Sequence, residues 1–173
     1  FTMPLINEYD EVRSVIYSPD GKSIAVGTEN KRADSKILLL NTNTGNIQKQ
    51  FGGFTDPVYH ISFSKDGLKI AGSSENIVKI FDASTGKELQ TLNIGGGSIV
   101  SFAFLPDRGI LIVEANEKNV GLWDVANGKL LDELKGHTGG GIVVAVSPDG
   151  KWIASADWFY CRGDCTVRIW DLE

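Results

Sequence analysis

The chain has 173 residues, of which 42% are hydrophobic and 23% charged, an ordinary balance for a globular domain large enough to bury a core. Its 17 basic and 22 acidic residues give a net charge of −5 without any basic cluster. This argues against a nucleic-acid or anionic-membrane partner, since those surfaces need a basic stripe. No apolar run approaches the roughly 20 residues that span a bilayer. The chain opens on Phe1 rather than on Met, so we expect a processed chain or part of a longer one.

Two markers recur along the chain with a period near 42 residues. The first is a turn whose aspartates are 46, 41 and 42 residues apart, written Ser18-Pro19-Asp20-Gly21, Ser64-Lys65-Asp66-Gly67, Leu105-Pro106-Asp107-Arg108-Gly109 and Ser147-Pro148-Asp149-Gly150. The second is a pair spaced by 41, 42 and 47 residues, written Leu40-Asn41, Phe81-Asp82, Trp123-Asp124 and Trp170-Asp171. Two independent markers that advance together four times indicate four structural repeats.

Within each repeat the pattern is that of short strands, and no amphipathic helix is visible. The first strand of each unit is β-branched or aromatic and stops at the Asp-containing turn: Val12 to Tyr17, Val58 to Phe63, Ile99 to Phe104 and Ile142 to Val146. Second strands follow at Ser23–Gly27, Lys69–Ser73, Gly109–Val113 and Trp152–Ala156, and third strands end on the second marker. Fourth strands follow Thr-Gly or Asn-Gly turns, at Ile47–Phe51, Glu88–Leu92 and Leu130–Leu134. Four short antiparallel strands in each unit predict an all-β fold built of β-propeller blades.

Three stretches of the last repeat, Gly136-His137, Ser147-Pro148-Asp149-Gly150 and Thr166-Val167-Arg168-Ile169-Trp170-Asp171, carry a family resemblance. They are similar to the WD-repeat family, and the resemblance extends over essentially the whole chain. It implies a WD-type β-propeller of four blade units over residues 1–173, with repeats at approximately 1–46, 47–86, 87–128 and 129–173. It implies much less about function, because the fold hosts many unrelated roles.

The resemblance also implies a buried hydrogen-bonded tetrad in the fourth repeat. His137 would bridge the hydroxyl of Ser155 and the carboxylate of Asp164, and Trp170 would donate its indole N–H to the hydroxyl. Such a fully satisfied polar network would fix one conformation of the blade. The other repeats lack the complete set; the third, for example, has Trp123 but no His. His137 is therefore interpreted as structural rather than catalytic.

The number of repeats leaves the closure of the ring open. The family usually forms rings of about seven blades, so four repeats predict a partial propeller or a ring completed by assembly. Phe1–Ile6 would supply the outer strand beside Thr166–Asp171 if the ring closes. Otherwise two apolar blade faces need a cover, because large apolar patches rarely persist on a monomer.

The first and fourth repeats carry about five extra residues between the second and third strands. The inserts, which are expected on the same rim as the Gly-His loop, contain the candidate partner-binding residues Asn30, Lys31, Arg32, Trp158, Phe159, Tyr160 and Arg162. The three consecutive aromatic residues are either anchors for a partner or folded back over a neighbouring blade.

The fourth insert holds an Arg-Gly-Asp triplet between the only two cysteines, Cys161 and Cys165. Adhesion-type recognition is disfavoured, since Asp164 falls where the tetrad carboxylate belongs and three-residue motifs match by chance. Two thiols without a third ligand do not make a closed metal site. A disulfide across a hairpin turn and two reduced cysteines both remain open.

Other chemistry-bearing patterns are missing from the sequence. No phosphate-binding Gly-Lys-Ser loop is visible, and His60 has no Cys or Ser partner in register. We therefore predict no enzymatic activity, no cofactor and no metal. The leading hypothesis is a protein-interaction scaffold that presents rim loops to protein partners. The alternative is a structural chain whose copies assemble through open blade faces. The family base rate favours the cytoplasm, and a Cys161–Cys165 disulfide would instead favour an extracellular location.

Overall fold

A computed structural model describes residues 10–31, 34–95, 97–115, 118–139, 142–157 and 165–172. These residues form fifteen β-strands and no helix, which confirms the predicted all-β fold. The strands make four antiparallel sheets, each of which follows chain order from one strand to the next. The sheets are the four blades, and they are numbered 1 to 4 along the chain.

The strand bounds are as follows. Blade 1 contains β1 (Asp10–Tyr17), β2 (Ser23–Asn30), β3 (Ser35–Asn41) and β4 (Ile47–Phe54); blade 2 contains β5 (His60–Phe63), β6 (Lys69–Ser74), β7 (Ile77–Asp82) and β8 (Glu88–Asn93). Blade 3 contains β9 (Phe102–Leu105), β10 (Ile110–Ala115), β11 (Asn119–Asp124) and β12 (Leu130–Leu134); blade 4 contains β13 (Ile142–Val146), β14 (Trp152–Asp157) and β15 (Val167–Asp171). Three blades thus have the four strands that were predicted, whereas the described residues supply only three for blade 4.

The first strands of successive blades lie against one another, β1 on β5, β5 on β9 and β9 on β13. This is the arrangement expected when first strands surround a central axis. The turns after the first and third strands lie at one end of the blades, here called the lower rim. The connections between second and third strands, and those between blades, lie at the opposite end, the upper rim.

Side chains alternate between the two faces of each blade, and the cores lie between blades. We call the face toward the following blade the trailing face and the other the leading face. Between blades 1 and 2, for example, Ile37 and Leu39 of β3 pack with Ile61 and Ile70 of blade 2. The two sheets approach closely, since a Cβ on Gly72 would lie 2.8 Å from Cδ1 of Ile37. The clusters between blades 2 and 3 and between blades 3 and 4 have the same organisation.

The lower-rim turns close on themselves in the way their sequence predicts. The hydroxyls of Ser18, Ser64 and Ser147 each donate to the carboxylate two residues later, at 2.6 Å in every case. The glycine that ends the first of these turns, Gly21, has a φ of 70°, a conformation that favours glycine. These polar groups are therefore satisfied within their own turns.

Two predicted strand starts were wrong, at Val58 and at Ile99. The backbone N–H of Val58 donates to the carbonyl of Thr28 in blade 1, and that of Ile99 donates to Glu75 in blade 2. Both residues are buried, so they resemble strand residues in an apolar pattern, but their backbone bonds run to the preceding blade. The strands β5 and β9 begin only at His60 and Phe102.

Candidate functional site: the upper rim and the polar cluster of blade 4

The predicted site residues fall into two groups. His137, Ser155, Trp170, Asn30, Lys31 and Cys165 are described by the structure, whereas Arg32, Trp158, Phe159, Tyr160, Cys161, Arg162 and Asp164 lie outside the described residues. The proposed disulfide and the aromatic insert therefore stay predictions. Cys165 itself is exposed at the start of the last described stretch.

Three of the four tetrad residues meet at the junction of blades 3 and 4. The hydroxyl of Ser155 lies 2.8 Å from Nε2 of His137 and 2.8 Å from Nε1 of Trp170. The indole N–H donates to the hydroxyl oxygen, which leaves the hydroxyl proton for the imidazole nitrogen. His137 and Ser155 are both buried, and the imidazole and indole rings meet edge to face. The contact ties the connection that carries His137 to β14, while Asp164 stays a prediction.

Blade 3 shows what happens when the hydroxyl is missing. Among the described residues, the buried Nε1 of Trp123 has no hydrogen-bond partner. Trp123 pairs with Leu111 as Trp170 pairs with Ile153, so Val113 takes the place of Ser155 in blade 3. A valine side chain cannot accept a proton, and the indole N–H is left without an acceptor.

His60 has a different structural role, at the junction between blades 2 and 3. Its Nε2 lies 3.1 Å from the backbone carbonyl of Phe102, to which the neutral ring donates, and its ring meets that of Phe102 edge-on at 4.9 Å. Burial lowers the pKa of His60, and the bond to the carbonyl opposes this only in part. Both histidines of the chain thus have hydrogen bonds that fix blade junctions or connections.

The upper rim of blade 1 carries a cluster of ion pairs. Glu11 and Glu29 face each other directly across β1 and β2, an unfavourable arrangement for like charges. A β-bulge displaces Arg13, and its guanidinium bonds to both carboxylates. Lys31 adds a bond of 2.8 Å from Nζ to Glu11, and this contact lowers the pKa of Glu11. Lys31 is therefore an exposed cation held in place by a neighbouring acid.

Sequence reasoning selected Lys31 but missed Glu11, Arg13 and Glu29. Alternating charges at the ends of two strands were a possible signal. The bulge shifts the register between Val12 and Ser14, however. Without it, the pairing of Ser14 with Gly27 would continue as Arg13 with Thr28, which places Arg13 on the opposite face of the sheet from Glu29. The cluster could therefore be recognised only once the register was known.

At the lower rim a lysine contact joins three of the blades. Nζ of Lys65 lies 3.4 Å from Oδ2 of Asp107 and 3.4 Å from the carbonyl of Pro148, so it connects blade 2 to the turns of blades 3 and 4. In the part of the chain that the structure describes, no three His, Cys, Asp or Glu residues are grouped as metal ligands. The described residues also include no helix that is long and apolar enough to cross a membrane.

Comparison with known proteins agrees with this geometry. The family described as "WD domain, G-beta repeat" matches residues 45–82 and 128–171. This chain is a WD-repeat protein. The matched segments start in turns before fourth strands, so each sequence repeat contributes one strand to the preceding blade. The repeat is thus offset from the sheet by one strand.

Relatives and solved structures are longer than this chain. The nuclear distribution protein PAC1 of Arthroderma otae is 29% identical over 95% of this chain and 36% of its own length. The serine-threonine kinase receptor-associated protein of Gallus gallus is 31% identical over 80% of this chain and 38% of its own length. The solved structure of U3-55K superimposes with a TM-score of 0.81 at 20% identity, over 97% of this chain and 51% of that one. The chain therefore spans about a third of these relatives and half of that propeller.

Proposed function

We propose that this chain is a non-catalytic scaffold that binds protein partners through its upper rim. The observation that carries the proposal is the contrast between the two rims. Three of the four first-turn aspartates of the lower rim, Asp20, Asp66 and Asp149, are bonded within their own turns, and their serine partners lower the pKa of each. The upper rim instead holds the variable connections and the exposed charges of Arg13 and Lys31.

The relatives support a binding role. The chicken relative is named for its association with a serine-threonine kinase receptor, which is a statement about that protein. A propeller suits such a role because rigid sheets hold the loops that recognise a partner, and the loops can vary without disturbing the blades. The partner of this chain is expected to be a protein, since the net charge of −5 disfavours nucleic acid.

The non-catalytic part of the proposal rests on the contacts of the histidines. A histidine that acts as a general base must have a free ring nitrogen near a reacting group. Nε2 of His60 lies against a backbone carbonyl, and Nε2 of His137 lies against the hydroxyl of Ser155. These nitrogens are engaged in holding the fold.

The charged part of the rim can be tested by reversing one charge at each end of blade 1. Lys31→Glu would replace a cation of the upper rim, whereas Lys22→Glu makes the same change in an exposed lower-rim turn. Affinity capture followed by titration of the captured protein should show a loss of about tenfold or more for Lys31→Glu and wild-type affinity for Lys22→Glu, since upper-rim contacts alone are removed. Equal affinity for both variants would contradict binding through this rim.

The aromatic insert gives a second arm of the same experiment. Truncating large aromatic anchors commonly costs ~2 kcal/mol or more, while an exposed Arg on a rim contributes little. The double variant Trp158→Ala/Phe159→Ala should therefore weaken binding more than Arg162→Ala. If Arg162→Ala alone abolishes binding, adhesion-type recognition by the Arg-Gly-Asp triplet is the correct interpretation instead.

A further inference from the structure

A cavity of about 230 Å³ lies at the lower rim, at the junction between blades 2 and 3. Phe104 and Val125 of blade 3 give it an apolar lining, and both belong to the core between these blades or pack against it. Blade 2 contributes three charged side chains, those of Lys65, Asp66 and Lys69. Both blades have four described strands, so the cavity lies between two complete sheets.

The position of Lys69 follows from the alternation of side chains along β6. Ala71, two residues later in the strand and therefore on the same face, is buried in the core between blades 2 and 3. The side chain of Lys69 thus starts at the lower-rim end of this core, and the residue is partly buried. A lysine stem can pack on apolar neighbours in such a place, while its ammonium needs water or an acceptor.

Blade 2 is the only blade with a cation at this position. Lys69 pairs with the polar residue of the second marker, Asp82, and the residues at the same register in the other blades are Ser23, Ile110 and Trp152. Ser23 donates its hydroxyl to Oε1 of Gln48 in its own blade, at 2.9 Å. Ile110 packs against the core between blades 3 and 4. In blades 1 and 3 the fold itself therefore occupies this side chain.

The two carboxylates that line the cavity are already engaged. Oδ1 of Asp66 accepts the hydroxyl proton of Ser64 at 2.6 Å and the backbone N–H of Leu68 at 2.9 Å. Oδ2 of Asp107 lies 3.4 Å from Nζ of Lys65, which also contacts a backbone carbonyl of blade 4. Lys65 and Asp107 thus neutralise each other, and Asp66 is held in its own turn.

Lys69 differs from these groups. Among the residues that the structure describes, its ammonium forms no ion pair, whereas Lys65 and Lys79 of the same blade each do. A partly buried ammonium has lost some of its hydration, and an oxygen acceptor with negative charge replaces it most strongly. The cavity therefore has the chemistry of a site for an anion.

The size and lining of the cavity narrow the class of anion. Sites for small molecules usually enclose about 300–1,000 Å³, and this cavity is smaller. A phosphate group carries more than one negative charge and would meet the carboxylates of Asp66 and Asp107 with only one unpaired cation to balance it. A single carboxylate matches the single ammonium of Lys69. Methylene groups next to the carboxylate match Phe104 and Val125.

We propose that this cavity binds an acidic segment of a partner protein, with a glutamate carboxylate that accepts a hydrogen bond from Nζ of Lys69 and an apolar neighbour that packs on Phe104 and Val125. The site goes beyond the proposed function, because it lies on the opposite rim and shares no residue with the surface proposed there. The chain would then hold one partner on each rim.

The test is a titration of the full, ¹⁵N-labelled chain with the capped peptide acetyl-Leu-Glu-Leu-amide, followed by NMR at neutral pH. The amide signals of Lys69, Phe104 and Val125 should shift and saturate. Lys69→Gln keeps most of the side chain but removes the charge, so Kd should rise about tenfold or more. Lys69→Arg keeps the charge and should keep most of the affinity. Lys87→Gln removes an exposed lower-rim lysine outside the cavity and should leave Kd unchanged. Circular dichroism checks that each variant is folded.

Two further probes separate the carboxylate from the segment that carries it. The neutral peptide acetyl-Leu-Gln-Leu-amide should bind about tenfold or more weakly than the glutamate peptide, since it lacks the charge. Propionate has a carboxylate without flanking residues and should also bind more weakly. Absence of saturation, or one Kd for both peptides or for wild type and Lys69→Gln, would overturn the proposal. Propionate that binds as tightly as the glutamate peptide would overturn the assignment to a protein segment. Capture of the upper-rim partner should be unaffected by Lys69→Gln, so failure of either proposal is seen separately.

Discussion

Replacing His137 by Ala tests the polar cluster of blade 4 most directly. His137 and Ser155 are 5% and 2% exposed, so water cannot easily replace the lost imidazole. The hydroxyl of Ser155 keeps the bond from Trp170 but loses its contact with Nε2 of His137. Leaving one buried polar group without its partner costs about 1–3 kcal/mol. For a chain of this size, a loss of about 2 kcal/mol lowers the melting temperature by about 4–8 °C.

The assay is urea unfolding at one fixed protein concentration, since association would add to the apparent stability. Hydrogen exchange of the amides in β14 and β15 locates the effect, and these amides should lose protection before those of blade 2. Combining His137→Ala with Ser155→Ala in a double-mutant cycle isolates the contact between the two side chains. His60→Ala is the matched control, because His60 is less buried and sits at another junction. Equal losses for the two histidines, or additive effects of His137→Ala and Ser155→Ala, would refute the reasoning.

The remaining predictions concern blade 3 and the dependence of stability on pH. Val113→Thr should give the indole N–H of Trp123 an acceptor, so the unfolding free energy of this variant should stay within about 1 kcal/mol of wild type. Val120→Thr is the control, because it buries a hydroxyl without a designated partner and should lower the unfolding free energy by about 1–3 kcal/mol. A comparable loss for both would show that Val113 is not equivalent to the serine of blade 4. Because the pKa of His60 is lowered in the folded state, its stabilising contribution is complete above the ordinary value of 6.5 and is lost as the pH falls below it. Urea unfolding between pH 7 and 5 should show this loss for wild type and a smaller one for His60→Gln, and identical pH profiles would contradict it.

Most of the fold could be predicted because the Asp-containing turn and the second marker pair occur in every repeat. The Asp-containing turns set where first strands end, and period-two patterns of β-branched residues then gave strands that the structure contains. The starts of β5 and β9 could not be predicted, because Val58 and Ile99 are as apolar as true strand residues. What distinguishes them is a backbone bond to the preceding blade, and this is a long-range contact that no local pattern encodes.

Of the features of the candidate site, the polar cluster of blade 4 could be predicted from the sequence, whereas the charge cluster of blade 1 and the indole of Trp123 could not. The resemblance implied a hydroxyl between His137 and Trp170, and Ser155 lies there. The charge cluster around Arg13 was missed, because its geometry depends on a bulge in β1. The orphaned indole of Trp123 could not be found from its own sequence neighbourhood either. It follows from the residue on the neighbouring strand, Val113, which lies two residues from the pairing partner of Trp123 and matters only once the pairing is known.

The polar cluster of blade 4 has a physical explanation in how its sheet is held. Blades 2 and 3 are covered on both faces, so apolar packing alone can hold them, even with an unsatisfied indole in blade 3. Blade 4 has three described strands, one fewer than each of the other blades. Its His137, Ser155 and Trp170 add directional contacts on the face that packs against blade 3. The cluster thus fixes the connection that carries His137 and the sheet of blade 4 in one position relative to blade 3.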